Sequence, residues 1–181
     1  MRDIDRRGRV SRRIILRGGA VGVPMAALAG ELLRADAAWA QDAKTLTPPT
    51  MLTLVRMARD IYPHDHIGDV FYIAAVQPWD AKSASDAAFR AMIEGGVARL
   101  DADAHDFHGV PYAKVAWEAD RVALLHGIEH TDFFKKCRAD LVVSLYNQHD
   151  LWAKFGYEGS SAEHGGYIHR GFNDIDWLPK A

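Results

Sequence analysis

The chain has a single cysteine, Cys137, in 181 residues. An internal disulfide framework is therefore excluded, and stability has to come from a packed core, from a partner, or from both. Cys137 falls on an apolar helix face, which fits a buried thiol; a bridge to another chain is the alternative. The sequence also lacks the short motifs that cradle a nucleotide or arm a nucleophile. There is no G-x-G-x-x-G and no P-loop, no G-x-S-x-G elbow, and no C-x-x-C-H for covalent haem. Strand-type alternation is absent, so the expected class is all-α. Basic residues form no stripe, which argues against nucleic acid as a partner, because phosphate contacts need clustered Lys and Arg. Beyond one stretch near the start, no apolar run approaches the roughly 20 residues that cross a bilayer.

That one stretch organises the reading of the rest. Ser11-Arg12-Arg13-Ile14-Ile15-Leu16-Arg17 precedes an apolar segment, Ile14 to Leu33, rich in Gly and Ala. Ala38-Trp39-Ala40 follows, with small residues two apart, ahead of polar Gln41. A basic start, an apolar middle and a small-residue site is the plan of an export leader. The paired Arg12 and Arg13 make it similar to a twin-arginine signal, the address read by the translocase that carries folded cargo. Cleavage is expected after Ala40, with Ala38 and Ala40 as the small residues. A retained membrane anchor is the competing reading, but Arg17 and Glu31 interrupt the segment, and Pro24 and several glycines weaken it. A plain amphipathic helix lacks a clean face here. The first 40 residues carry eight Lys and Arg against four Asp and Glu. The remaining 141 carry 14 against 20, so the part beyond the leader is acidic and of single-domain size.

Within that part the helical signals run in order. Thr47 is placed to cap a helix with Pro48 at its first position, and Leu52, Val55, Met57, Ala58 and Ile61 follow at helical spacing up to Pro63. A turn at His64–Gly68 leads to a short helix capped by Asp69, running through Val76 and ended by Pro78. Ser83 or Ser85 is expected to cap a third helix with a stripe of Phe89, Met92, Ile93, Val97 and Leu100. Gly95-Gly96 in its middle weakens it by about 1 kcal/mol each against Ala, and such glycines mark a close approach or a tolerated flaw. Asp101 to Pro111 reads as an Asp- and His-rich loop. A fourth helix is expected from about Val115 to Glu129, and a fifth, capped by Thr131, from Asp132 to Tyr146. The expected division is thus a leader, 1–40, a helical domain of about five helices, 41–146, and an irregular tail, 147–181.

The tail combines two properties that rarely meet. It holds Gly156, Gly159, Gly165, Gly166 and Gly171, yet also Trp152, Phe155, Tyr157, Tyr167, Phe172 and Trp177. Disordered tails are poor in aromatics. These six need a surface, either on this domain or on another protein, and Tyr and Trp are favoured interface anchors.

Histidines supply the sharpest chemical candidate. In His126-Gly127-Ile128-Glu129-His130 the two imidazoles fall at i, i+4, and H-x-x-E-H matches an inverted zinc-protease pattern with Glu129 as general base. A zinc site needs a third ligand, for which His149, Glu158, Glu163 and His164 are available without any signature among them. The plainer reading is a pair of exposed histidines. His64-Asp65-His66 and the Asp101–His108 stretch read as solvated turns, with a loosely held cation as the alternative.

Scattered segments carry a resemblance. Besides the leader, Leu54 to Pro63 (LVRMARDIYP), Glu129-His130-Thr131-Asp132-Phe133-Phe134, and Val142 to Asn147 with Leu151-Trp152 and Phe155 to Gly159 resemble the gluconate 2-dehydrogenase subunit 3 family. Gly165-Gly166-Tyr167 and Gly171 to Pro179 resemble the tail of one branch. The family comprises small subunits of periplasmic dehydrogenases whose large, GMC-type partner binds FAD and oxidises a sugar or alcohol. A cytochrome c subunit often carries the electrons on. The resemblance implies a small subunit with no catalytic residue or cofactor of its own, which supports folding of the flavoprotein and exports it through the twin-arginine route. Trp152, Phe155, Tyr157, Tyr167, Phe172 and Trp177 would dock on the partner. Some members have a cysteine near the Tyr146–Asn147 position; this chain does not, which argues against a covalent link. Two other expectations compete: a free-standing periplasmic zinc hydrolase using His126, Glu129 and His130, and a secreted binding protein acting alone.

Overall fold

The computed structural model describes residues 39–172. Its central element is helix α1, Pro48–Ile61. The start is as the sequence reads: Thr47 Oγ1 accepts from the Thr50 amide, and the prolines sit where their missing N–H groups are not needed. Met51, Leu54, Val55, Met57 and Ala58 are all buried, and so are Thr53 and Asp60, so α1 is covered on nearly every side while Arg56 and Arg59 keep one edge polar. Accordingly α1 packs against α2 (Asp69–Ser85), α3 (Ala87–His108), α4 (Glu118–Ile128) and α5 (Asp132–Tyr146). It also meets the 3-10 turn Trp39–Asp42 that precedes it. A short α6, His149–Trp152, and a 3-10 turn Ala153–Phe155 follow. The class is all-α, with no strand among the described residues. No helix among them is long and apolar enough to cross a membrane.

Four element boundaries differ from the sequence reading. Helix α2 does not stop before Pro78 but runs through it to Ser85. The proline removes one donor on an exposed face, while beyond it Trp79 and Ser83 are buried. The Asp80 carboxylate also accepts the amides of Lys44, Thr45 and Leu46 at 2.9, 2.9 and 2.7 Å. Tertiary packing of that last turn outweighs the local break. The third helix is capped by Asp86, whose carboxylate accepts from the Phe89 amide at 2.9 Å, and not by Ser83 or Ser85. It also continues through the expected loop at Asp101–His108. Leu100 and Ala104 extend its buried stripe, Arg99 pairs with Asp103 one turn on, and Gly109 ends it at φ 71° with Pro111 just beyond. The fourth helix starts at Glu118 rather than Val115, because after the 3-10 turn Tyr112–Lys114 the backbone at Val115 and Trp117 is extended.

The glycine pair on α3 resolves into two different cases. A Cβ on Gly96 would lie 2.1 Å from Cγ of Phe133, so the α5 ring rests directly on the α3 backbone. Gly95 has nothing within 4 Å. Close helix approach accounts for the first; the second is only a weakness in the helix.

Candidate functional site

The five tail aromatics among the described residues do not form one set. Trp152 folds back on the domain: its indole Nε1 donates to the Tyr146 carbonyl at 3.0 Å, and His149 stacks on it at 4.0 Å. The chain then turns on Gly156 at φ 70°, and the Tyr157 amide donates to the Trp152 carbonyl at 2.8 Å. Phe155 lies against the turn between α1 and α2, with ring centroids 5.0 Å from His64, 5.2 Å from His66 and 5.7 Å from Tyr146. Gln148 Nε2 donates to the carbonyls of Phe71 and Ser144, both at 2.9 Å, which joins this hook to α2 and α5. Beyond it the backbone is held by local bonds only, among them His164 Nε2 to the Glu158 carbonyl and the Arg170–Glu158 ion pair. On that segment Tyr157, Tyr167, Ile168 and Phe172 are 51, 61, 78 and 76 % exposed. Trp177 lies outside the described residues.

Two titratable groups around the hook are perturbed: burial and then Tyr62 push Tyr146 up, and His64 moves down. Its Nε2 lies 2.7 Å from the Tyr146 hydroxyl. Burial, and then the neighbouring His66, hold its pKa below the ordinary 6.5. The neutral ring is the form that suits this packing.

The H-x-x-E-H group is arranged differently from a zinc pair. Helix α4 ends at Ile128, so Glu129 is its C-terminal cap and His130 lies past the last turn. His126 Nδ1 is 3.2 Å from Glu129 Oε2, with both side chains exposed, so the supposed ligand and base engage each other. Of the third-ligand candidates, His149 is stacked on Trp152, His164 faces a carbonyl, and Glu158 pairs with Arg170. Among the described residues no three His, Cys, Asp or Glu side chains converge on a common point. Cys137 is buried on α5, and burial pushes its thiol well above the ordinary range, so it is neither a nucleophile nor a ready disulfide partner.

The sequence reading missed a buried polar cluster. Asp60 on α1 accepts from Arg121 on α4 through both oxygens, at 2.7 and 2.8 Å, and from the Tyr112 hydroxyl at 2.7 Å. Arg121 also donates to the Val115 and Ala116 carbonyls at 2.8 and 3.2 Å. Burial works against the Arg121 charge, but Asp60 more than offsets it and the pKa rises. Burial and then the Asp60 charge push Tyr112 up, so its hydroxyl stays protonated and donating. Every donor aimed at Asp60 is satisfied and all three side chains are buried, which makes the cluster a fastener for the 111–121 segment rather than a reaction centre. Its signal was present: Arg121 falls on the same helical stripe as Leu124, Leu125 and Ile128.

Arg12, Arg13 and Ala38 lie outside the described residues. Ala40 is described, and it is fully buried within the 3-10 turn. Comparison with protein-family models, characterised proteins and solved structures finds no match to this chain.

Proposed function

We propose that the chain is the non-catalytic small subunit of a periplasmic FAD-dependent, GMC-type sugar or alcohol dehydrogenase, and that it escorts the flavoprotein through the twin-arginine route. The observation that carries the reading is the tail. Tyr167, Ile168 and Phe172 stand out from a segment whose root is fastened to the domain by Trp152 and Phe155, with Tyr157 set edge-on against Trp152 at 5.1 Å. A rooted arm with an apolar outer side is built to lie on another surface, and large aromatics supply much of the binding energy where such arms dock. The leader-like start and the scattered segments that resemble the gluconate 2-dehydrogenase subunit 3 family supply the identity of the partner. FAD would sit on that partner and haem c on a third subunit. The H-x-x-E-H alternative is less well supported, because Glu129 engages His126 and His130 lies beyond the helix.

The test is a purification from native membranes or periplasm through a tag on this chain. The expected outcome is a large co-purifying chain with a flavin absorbance spectrum. A colourless single chain would defeat the proposal. In the same strain, Arg12→Lys with Arg13→Lys should leave both chains in the cytoplasm.

A further inference from the structure

The bond that the sequence marks for leader removal is built into the folded domain. Trp39–Asp42 is a 3-10 turn in which the Ala43 amide donates to the Ala40 carbonyl at 3.4 Å. The Ala40 side chain is 0 % exposed, Trp39 packs against the core, and the turn lies on α1. Just downstream, Lys44, Thr45 and Leu46 point three successive amides at one carboxylate, Asp80 on α2, at 2.9, 2.9 and 2.7 Å. Leu46 is itself buried. Residues 39–46 are thus fastened at both ends, by apolar burial at Trp39–Ala40 and by the Asp80 clasp at 44–46.

A leader peptidase that reads small residues just before the bond binds its substrate as an extended strand, with those side chains in pockets. A helical turn with a fully buried Ala40 offers neither the shape nor the access. We propose that the folded domain masks its own processing site, so that hydrolysis of the Ala40–Gln41 bond requires local opening of residues 39–46, with Asp80 as the clasp that sets how often it opens. The reaction is an ordinary hydrolysis: water adds across the amide, leaving the Ala40 carboxylate on the leader and a free amine on Gln41. The inference rests on the reading of residues 1–40 as a twin-arginine leader, and it carries a particular consequence for that route. Cargo that folds before export arrives with the site already closed, so removal of the leader waits on that opening.

The experiment compares three substrates of a purified leader peptidase in detergent: a peptide spanning residues 31–46, the folded full chain, and the folded Asp80→Ala chain. Products are read by intact mass. Cutting of the peptide, near-complete resistance of the full chain, and a rate on the order of tenfold higher for Asp80→Ala are expected, since cleavage then tracks the open population. Should Asp80→Ala fail to fold, amide exchange of the unaltered chain decides the matter: the Lys44, Thr45 and Leu46 amides must be protected, and free exchange there overturns the masking. Cutting of the folded chain at the peptide's rate overturns it as well. A peptide that is not cut shows that 38–40 is no processing site, which also overturns the inference, while the export reading keeps its own test in the location of the Arg12→Lys, Arg13→Lys chain.

Discussion

At Gly96 the choice of residue is set by a ring on another helix. The Phe133 side chain is buried, and a methyl group at Gly96 would overlap it at 2.1 Å. One of the two helices would have to move, and overpacking of that kind typically costs about 1–3 kcal/mol. Better helix propensity returns about 1 kcal/mol. Gly95 has free space and no unusual backbone angle, so only the propensity gain applies there. Urea unfolding at unchanged slope should show Gly95→Ala more stable by about 0.5–1 kcal/mol and Gly96→Ala less stable by up to about 2 kcal/mol. Equal shifts for both would mean that Phe133 does not rest on the α3 backbone. The sequence offered the pair as a unit and could not divide it, because what separates the two glycines is a residue far along the chain. Asp60 and Arg121 were hidden for the same reason. Each looks like an ordinary helical charge until the partner across the core is seen, although the position of Arg121 on an apolar stripe was a usable sign.

Helices with strong local signals were legible, and those decided by tertiary contacts were not. α1 and α5 begin at Thr47 and Thr131 with the side-chain caps their sequences announce. α2 and α3 ran past their apparent ends because Trp79, Asp80 and Ala104 gain more from the core than local composition withholds. The turn between α1 and α2 was read as solvated, yet His64 is half-buried under Phe155 and bonded to Tyr146. Its lowered pKa has a consequence for stability. As pH falls below the ordinary 6.5, the unfolded chain takes up a proton that the folded chain resists, so stability is full above that point and is lost progressively on going down towards the lowered value. His66, Tyr146 and Phe155 face the ring, and Asp65 adjoins it in the chain. Denaturation followed from pH 8 to pH 5 should show the loss in the unaltered chain. His64→Gln should remove its share of the slope, and His66→Ala should lessen it only in part, because burial is the larger cause. A slope unchanged in His64→Gln would place the sensitivity elsewhere.

For the whole molecule, the division of labour lies along the tail rather than between the tail and the domain. The sequence grouped Trp152, Phe155, Tyr157, Tyr167, Phe172 and Trp177 as one docking set and left open whether they fold back or face outward. Among the described residues both occur: the chain anchors itself with the first two, sets Tyr157 against Trp152, and presents Tyr167 and Phe172. That division follows from spacing on the glycines. Gly156 at φ 70° turns the chain back under Trp152, and Gly165 and Gly166 at φ 77° and 79° turn it again before Tyr167. It also separates two kinds of defect that a partner-binding assay alone would confuse. Trp152→Ala removes a packed ring and the hydrogen bond to Tyr146, so it should lower the unfolding midpoint of the isolated chain and loosen the whole arm. Tyr167→Ala and Phe172→Ala remove exposed rings, so the midpoint should stay put. If these rings anchor the flavoprotein, each truncation should weaken co-purification by on the order of tenfold, as expected for an anchor worth about 1–2 kcal/mol. Binding kept intact by both variants would move the docking surface off the arm, and the exposed Trp117 before α4 and Phe107 near the end of α3 would be the next rings to truncate.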